Sequence, residues 1–341
     1  MKKVVLVVDA DNWAFANIAK NFSLNLKNIY DFKILPIRYF DEDLGRLLLE
    51  TEDADLIHFL WRGLIAGIES DNFLDSANTL QMTRAEMIDK YLKSKIVTTA
   101  VYDHLYVGDN AISMTQYIID FCDLYYVSSN KLKKIYDELP LSKKPYSVIT
   151  DGINLKEFYP INLERFKNLN NRPLVIGWVG NSAWEKDSGD PKGVNTILKP
   201  AIKELQKEGL DIEMYFADRQ ERMIPHNEMV NYYSKLDLYI CTSEMEGTPN
   251  PVLESMATGV PIISTDVGIV PDALGPKQKK YIMKERTKKE LKRLIKEVYN
   301  NRKVLAELSE ENLEYIKSWD WREISYDMKN FLDQAFKNAK K

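Results

Sequence analysis

The sequence predicts an α/β protein made of two Rossmann-like halves, and three observations carry that expectation. Short apolar runs rich in β-branched residues recur along the chain, polar helix-length segments separate them, and the alternation starts afresh near residue 173. Runs apolar at nearly every position suit strands buried on both faces of a parallel sheet. Strand alternating with helix marks βαβ units.

The first half opens with VVLVV (4–8) and continues with DLIHFLW (55–61), KIVTTAVY (95–102), DLYYVSS (123–129) and YSVIT (146–150) as strands. Segments 14–26, 84–94, 111–121 and 129–137 have the length and polarity of the intervening helices. The second half begins with the strand PLVIGWVG (173–180), followed by an amphipathic helix over 194–208. Strands follow at IEMYFA (212–217), DLYICTS (237–243) and VPIISTD (260–266), with helices over 227–234 and 251–259. The polar stretch 162–173 between the halves reads as a linker. Beyond residue 288 the chain is helical, with Leu291, Leu294, Ile295 and Val298 on one face.

Composition agrees with two folded domains. The chain has 341 residues, 45% of them hydrophobic, enough to fill two cores. A net charge of -4 argues against a general nucleic-acid binder, which carries a basic stripe. The two cysteines, Cys122 and Cys241, make neither a metal spacing nor a disulfide framework, so a reducing cytoplasm is expected. The apolar run at the start is only five residues long and ends at Asp9 and Asp11, too short for a secretory leader. No uncharged stretch reaches the roughly 18 residues of a membrane span.

The segment most informative about chemistry is EGTPNPVLE, Glu246 to Glu254. It follows a strand, and Pro251 suits the first position of a helix, where its missing N–H is no loss. Asn250 then falls at the N-cap and Gly259 just past the C-terminus. A helix starting where a parallel strand has ended offers N–H groups and partial positive charge to a phosphate. Glu254 is not at the third helical position, so it is no capping-box acid, although pairing with the helix dipole remains open. Glu246 taken alone is an ordinary loop acid.

The run EGTPNPVLESMATGVPIISTDVG resembles the E-x7-E signature of retaining, GT-B fold glycosyltransferases of family 4, the glycosyl transferases group 1. HNEMVNYYSKLDLYICTS is similar to the helix and strand that lead into that signature, and SVITDGINLKEFYP (147–160) to the turn closing the first domain. GWVGNSAWEKDSGDPKG (177–193) looks like the strand and phosphate loop opening the second. The resemblance implies a GT-B architecture. Residues 1–161 would form an acceptor domain, and 172–319 a nucleotide-sugar donor domain across a cleft. A C-terminal helix, about 320–341, would return to the first domain, with a hinge near 160–172.

By the same resemblance, Glu254 would hold ribose hydroxyls, as an acceptor-only carboxylate can. Glu246 would lie beside the transferred sugar, and Lys192 on the diphosphate. Gly180 and Asn181 belong to the phosphate loop, Asn181 standing where the family has arginine. Lys186 is either a compensating cation or a solvated loop lysine. The N–H groups of Thr248, Asn250 and Val252 are further donor contacts, while Pro249 has none to offer. Arg219, Met223, Ile224 and His226 would line the base pocket. Asp187 and Asp190 are weak evidence for a metal, and the family works without one, so no cofactor or metal is expected beyond the nucleotide-diphosphate sugar itself.

The first domain departs further. DADNWAFAN (9–17) has no glycine where the family has a Gly-rich turn. Asp11 or Asn12 would cap a helix opening at Trp13, itself either a core aromatic or a ring that stacks on a sugar. In VTTAVYDHLYV (97–107), Tyr102-Asp103 falls on the family's His-Asp, and His104, two residues on, is the expected contact near the reacting carbon. His58 reads as a core histidine.

The implied activity is transfer of a sugar to a glycan, lipid-linked or other hydroxyl acceptor in cell-envelope or capsule polysaccharide synthesis, with nucleic acid excluded as a partner. Another GT-B enzyme, such as a phosphorylase or a sugar-nucleotide epimerase, and a non-catalytic sugar-binding protein are the alternatives. A dinucleotide oxidoreductase is disfavoured because no G-x-G-x-x-G follows either first strand. The basic stretch 284–303 is a membrane-surface candidate or a solvated helix face.

Overall fold

The computed structural model describes residues 1–11, 13–103, 111–169, 171–184 and 189–339. Contacts divide the chain into two compact units: 1–151 with 321–341, and 152–320.

The first unit is built on a six-stranded parallel sheet ordered β2-β1-β3-β4-β5-β6. Its strands are β1 (Lys2–Val8), β2 (Tyr30–Pro36), β3 (Leu56–Phe59), β4 (Ile96–Val101), β5 (Leu124–Val127) and β6 (Ser147–Val148). The continuous apolar run of β1 is explained by burial on both sides. Val4, Leu6 and Val8 pack with Phe22 and Phe331 on one face, and Val5 and Val7 with Leu47, Ile65 and Phe73 on the other. Helix Trp321–Asn338 packs against helix Ala14–Leu26, completing the first of these layers from the far end of the chain. His58 sits inside β3, fully buried. Its Nδ1 is 2.9 Å from Thr98 Oγ1, its ring stacks on Tyr126 at 5.5 Å, and burial pushes its pKa down to about 3. It is a neutral core residue, as its apolar surroundings in sequence indicate.

The second unit carries a five-stranded parallel sheet ordered β11-β10-β9-β7-β8. Its strands are β7 (Leu174–Gly180), β8 (Ile212–Asp218), β9 (Leu238–Cys241), β10 (Ile262–Thr265) and β11 (Ile282–Met283). Leu174, Ile176 and Trp178 face one core with helices Lys199–Lys207 and Lys288–Asn300. Tyr239, Cys241 and Ile262 face another with helix Asn250–Ala257.

Three local expectations change. Strand β2 was not apparent in the sequence because YDFKILP is an edge strand, and its first residues alternate between buried and exposed. The stretch 162–173 is no loose linker. Phe166 and Leu169 are buried in the second unit's core, and Arg172 clasps Asp237 through two hydrogen bonds of 2.6 and 2.7 Å. The division of the chain lies instead between Asp151 and Gly152, because Ile153 and Phe158 already pack on the second unit. Helix Asn250–Ala257 starts one residue earlier than its prolines indicate, with Pro249 at the N-cap and no side-chain cap. Gly259 (φ +72) ends it as expected, with the Val260 N–H reaching back to the Ser255 carbonyl at 2.7 Å.

Candidate active site

In the second unit, the loops leaving β7, β9 and β10 meet. Glu246 follows β9, and its Oε1 accepts a hydrogen bond of 2.6 Å from Lys192 Nζ. Two side chains 54 positions apart in sequence thus form one ion pair, with Lys192 27% and Glu246 19% exposed. A half-open pair of this kind keeps both charges without the full desolvation cost of burial.

Several residues, most of them not identified from the sequence, fix this pair in place. Arg286 donates from Nε to the Thr242 carbonyl (2.9 Å) and from a terminal nitrogen to the Asp190 carbonyl (2.8 Å), tying the β9 loop to the Lys192 loop. Thr242 Oγ1 donates to the Lys192 carbonyl at 2.8 Å. Gly193 (φ +66) packs so tightly that a Cβ would lie 2.6 Å from the Thr242 carbonyl oxygen. Gly268 (φ +47), after β10, is tighter still, with a Cβ position 1.9 Å from the Gly247 oxygen. That contact presses the 246–248 turn against the β10 loop, and the Ile269 N–H accordingly donates to Gly247 at 3.1 Å.

Glu254 lies one turn into its helix. Its Oε2 accepts from the hydroxyl of buried Tyr233 at 2.6 Å. Burial pushes the carboxyl pKa above the usual glutamate value, against the opposing pull of Tyr233 and the nearby charge of His226. Burial first, and then the Glu254 charge, drive the Tyr233 hydroxyl well above its ordinary range. Phe158 packs edge-on against both His226 (5.6 Å) and Tyr233 (6.3 Å), extending this wall.

The loop leaving β7 is ordered by carboxylates. Asp190 Oδ2 accepts from the Asn195 and Thr196 N–H groups (2.8 and 2.7 Å) and from the Thr196 hydroxyl (2.9 Å), so it caps the helical turn that opens at Val194. Asp187 and Lys186 lie outside the described residues. Among the described residues, no group of three or more His, Cys, Asp and Glu side chains is spaced to hold a metal. Asp218, at the end of β8, accepts from the Ser182 and Gln220 N–H groups at 3.1 Å each. Burial alone would raise its pKa, but these bonds and Lys199 outweigh it and hold the carboxyl below its usual range. Asn181 Oδ1 accepts from Ala183 N–H (3.0 Å) and Gln220 Nε2 (2.8 Å), which leaves the carboxamide N–H groups as its donors. Gly180 sits beside Asn181, its Cβ position 2.8 Å from the Trp178 ring.

Of the N–H groups expected to face a ligand, Val252 is a correction. Its N–H donates to the Pro249 carbonyl at 2.8 Å, closing the first tight turn of the helix. The N–H groups of Thr248 and Asn250 have no such partner among the described residues. The Thr248 hydroxyl is buried and also without a partner among them. The proposed base pocket is only partly assembled. Ile224 packs on the core and His226 on Phe158, whereas Met223 is 78% exposed and the Arg219 side chain is exposed, its backbone N–H on Gly180 (2.9 Å).

In the first unit, the carboxyl ends of β3 and β4 hold Asp103 between Arg62 (2.6 Å) and the Trp61 indole N–H (2.9 Å). Tyr102 turns inward, packing on Phe15 and within 3.1 Å of the Tyr126 hydroxyl. Burial, with Tyr126 and Asp151, raises it well above an ordinary tyrosine. His104 lies outside the described residues, as does Asn12. Trp13 occupies the N-cap of helix Ala14–Leu26 and makes no side-chain cap hydrogen bond.

The basic helix Lys288–Asn300 is largely self-neutralised. Lys288 and Lys292 pair with Glu204, Lys292 and Lys296 with Glu208, and Arg293 with Glu290 and Glu297. No described helix is long and apolar enough to cross a membrane.

Residues 196–315 match the family Glycosyl transferases group 1. The chain is 24% identical over 204 residues to the lipopolysaccharide core biosynthesis mannosyltransferase LpsB of Rhizobium meliloti, covering 52% of this chain and 53% of that protein. It is 24% identical over 203 residues to the N,N'-diacetylbacillosaminyl-diphospho-undecaprenol alpha-1,3-N-acetylgalactosaminyltransferase of Campylobacter jejuni, covering 55% and 54%. The chain thus spans about half the length of the curated relatives it matches. Among solved structures, Anabaena HepE in complex with UDP and glucose superposes with a TM-score of 0.68 at 10% identity, over 98% of this chain and 100% of that one. At that identity the likeness establishes the fold, which is GT-B.

Proposed function

We propose that the protein is a retaining glycosyltransferase of family 4 that moves a sugar from a nucleoside-diphosphate sugar to a hydroxyl of a glycan or lipid-linked acceptor. The observation that carries this reading is the Lys192–Glu246 ion pair at 2.6 Å, formed beside the helix that bears Glu254. A cation and two separated carboxylates on one strand-end surface match the three chemical parts of such a donor. Lys192 takes the diphosphate, whose developing charge it stabilises as the glycosidic bond breaks. Glu246, relieved of its lysine, accepts from a sugar hydroxyl. Glu254 Oε1 accepts from the ribose while Tyr233 holds Oε2. The Asn181 carboxamide and the Thr248 and Asn250 N–H groups supply neutral donors, with the Thr248 hydroxyl standing near the N–H that Pro249 lacks.

Attack from the face the leaving group vacates, with a departing phosphate oxygen taking the acceptor's proton, accounts for retention without a protein nucleophile or a metal. His104 is the proposed contact near the reacting carbon. The Rhizobium meliloti relative is named for lipopolysaccharide core synthesis and the Campylobacter jejuni relative for a diphospho-undecaprenol-linked substrate, and cell-envelope or capsule glycan assembly in the cytoplasm, at the inner membrane face, is the setting proposed here.

The test starts from UDP, GDP, ADP and CMP titrated into the full chain by calorimetry. One of them should bind, and Glu254→Ala should weaken it about a hundredfold, the loss of two charge-assisted hydrogen bonds. Unchanged affinity in that variant would remove the ribose assignment and the reading built on it.

A further inference from the structure

The carboxyl ends of β1 and β2 carry an aromatic surface that neither the ion pair nor the donor residues use. Trp13 is 55% and Tyr39 64% exposed, which rules out the core reading of that tryptophan. Rings at this exposure bury little area on folding, and these two stand together on adjoining strand-end loops rather than singly.

This surface is built rather than loose. The Arg38 N–H donates to the Asp9 carbonyl at 3.2 Å, joining the two strand-end loops. The Tyr39 hydroxyl donates to Asp11 Oδ2 at 2.5 Å, and the Arg38 guanidinium lies 5.0 Å over the Trp13 ring. The loop beyond is held by Asp43, which accepts from Gly45 N–H (2.8 Å) and from the Ser76 hydroxyl (2.6 Å). Those bonds stabilise a turn in which Asp41 and Glu42 both adopt positive φ, +56 and +59, a conformation unfavourable for side chains of this kind.

The chemistry of the surface selects its ligand. A pyranose has an apolar C–H face and a rim of hydroxyls that both donate and accept. The rings of Trp13 and Tyr39 suit the face, while the acceptor-only Asp11 and the donor-only Arg38 suit the rim. Two rings are far too small for a stable protein interface, which needs about 800 Å² per partner. Carboxyl strand ends are also where open α/β sheets bind ligands.

We propose that Asp11, Trp13, Arg38 and Tyr39 form a sugar-binding subsite that stacks a pyranoside unit of the acceptor on Trp13. The assignment to the acceptor rests on the transferase reading above. Subsite and transferase are tested separately.

Saturation-transfer NMR on the full chain, with methyl β-D-glucopyranoside, methyl β-D-galactopyranoside and methyl α-D-mannopyranoside in turn, reads the subsite directly. At least one should receive transfer at its ring C–H protons. Trp13→Ala should weaken that binding about five- to tenfold and Tyr39→Ala less, while Trp13→Phe should retain most of it. Tyr326→Ala, which removes an equally exposed ring elsewhere, should change nothing. No transfer from any of the three glycosides, or full transfer in Trp13→Ala, overturns the subsite. Nucleotide titration of the same variants keeps the two readings apart. Glycoside loss in Trp13→Ala with unchanged nucleotide affinity supports the subsite. Glycoside binding in a chain that binds no nucleotide at all supports the subsite and removes the transferase.

Discussion

The two sheets present different chemistry at their carboxyl ends. In the second unit the charged side chains are partly open: Lys192 pairs with Glu246, both within reach of solvent, and the backbone around them is fixed by glycine contacts and Arg286. In the first unit one charge is sealed. Arg62 is completely buried, with the 27% exposed Asp103 against it, while Trp13 and Tyr39 stand exposed beside the charged Asp11 and Arg38. Open pairs can exchange partners for a ligand, and sealed ones cannot without leaving a buried charge. The difference predicts that polar substitutions at the second edge act mainly on binding, and those at the first mainly on stability.

The largest expected effect tests the sealed side. Asp103→Ala removes the carboxylate from a fully buried guanidinium and should lower stability by about 3 kcal/mol in urea unfolding, with Asp103→Asn intermediate. An unchanged midpoint for Asp103→Ala would mean that Arg62 finds enough compensation elsewhere, and the contrast between the two edges would fail.

Next comes Gly268→Ala. The added Cβ must push away the Gly247 carbonyl, 1.9 Å from its ideal position, so a loss of about 2–3 kcal/mol is expected together with weaker nucleotide binding. Gly209→Ala is the matched control. It has φ +91 but nothing within 4 Å of its Cβ, so only the backbone penalty of about 1 kcal/mol should appear, with nucleotide binding intact. Equal losses in the two variants would show that the Gly247 contact does not set the turn.

These two glycines also show where sequence reading stops. The buried strands and the E-x7-E run were legible because burial on both faces demands continuous apolar residues, and a strand-to-helix turn has its own proline and glycine signals. Lys192 and Glu246 were each visible as members of a motif. Their pairing was not, since 54 intervening residues fold between them. Gly268, Arg286 and Tyr233 were missed for a related reason: each acts through a contact with another loop or helix, and nothing local distinguishes it from an ordinary glycine, arginine or tyrosine. Edge strand β2 escaped because it is only partly buried. Val252 was misassigned because its N–H is consumed by a tight turn that the one-residue shift in helix start conceals. Trp13 was undecidable, as exposure is a property of the folded loop.

The smallest effect sharpens the binding side of the comparison through pH. Burial raises the Glu254 pKa above the ordinary glutamate value of 4.5, so between that value and its folded pKa the native state holds more protons than the unfolded one. Stability contributed by this group therefore falls as pH rises through that window, and the full cost is present above the folded pKa. Glu254→Gln keeps the shape, removes the charge and removes the cost. Thermal unfolding of both proteins between about pH 4 and pH 8 should give nearly equal Tm at the acid end and a higher Tm for the variant at the neutral end. A site residue that is slightly destabilising yet needed for nucleotide binding is what the contrast requires. A variant less stable at neutral pH would instead make Glu254, like Asp103, a structural partner, held in place for Tyr233 rather than for a ligand.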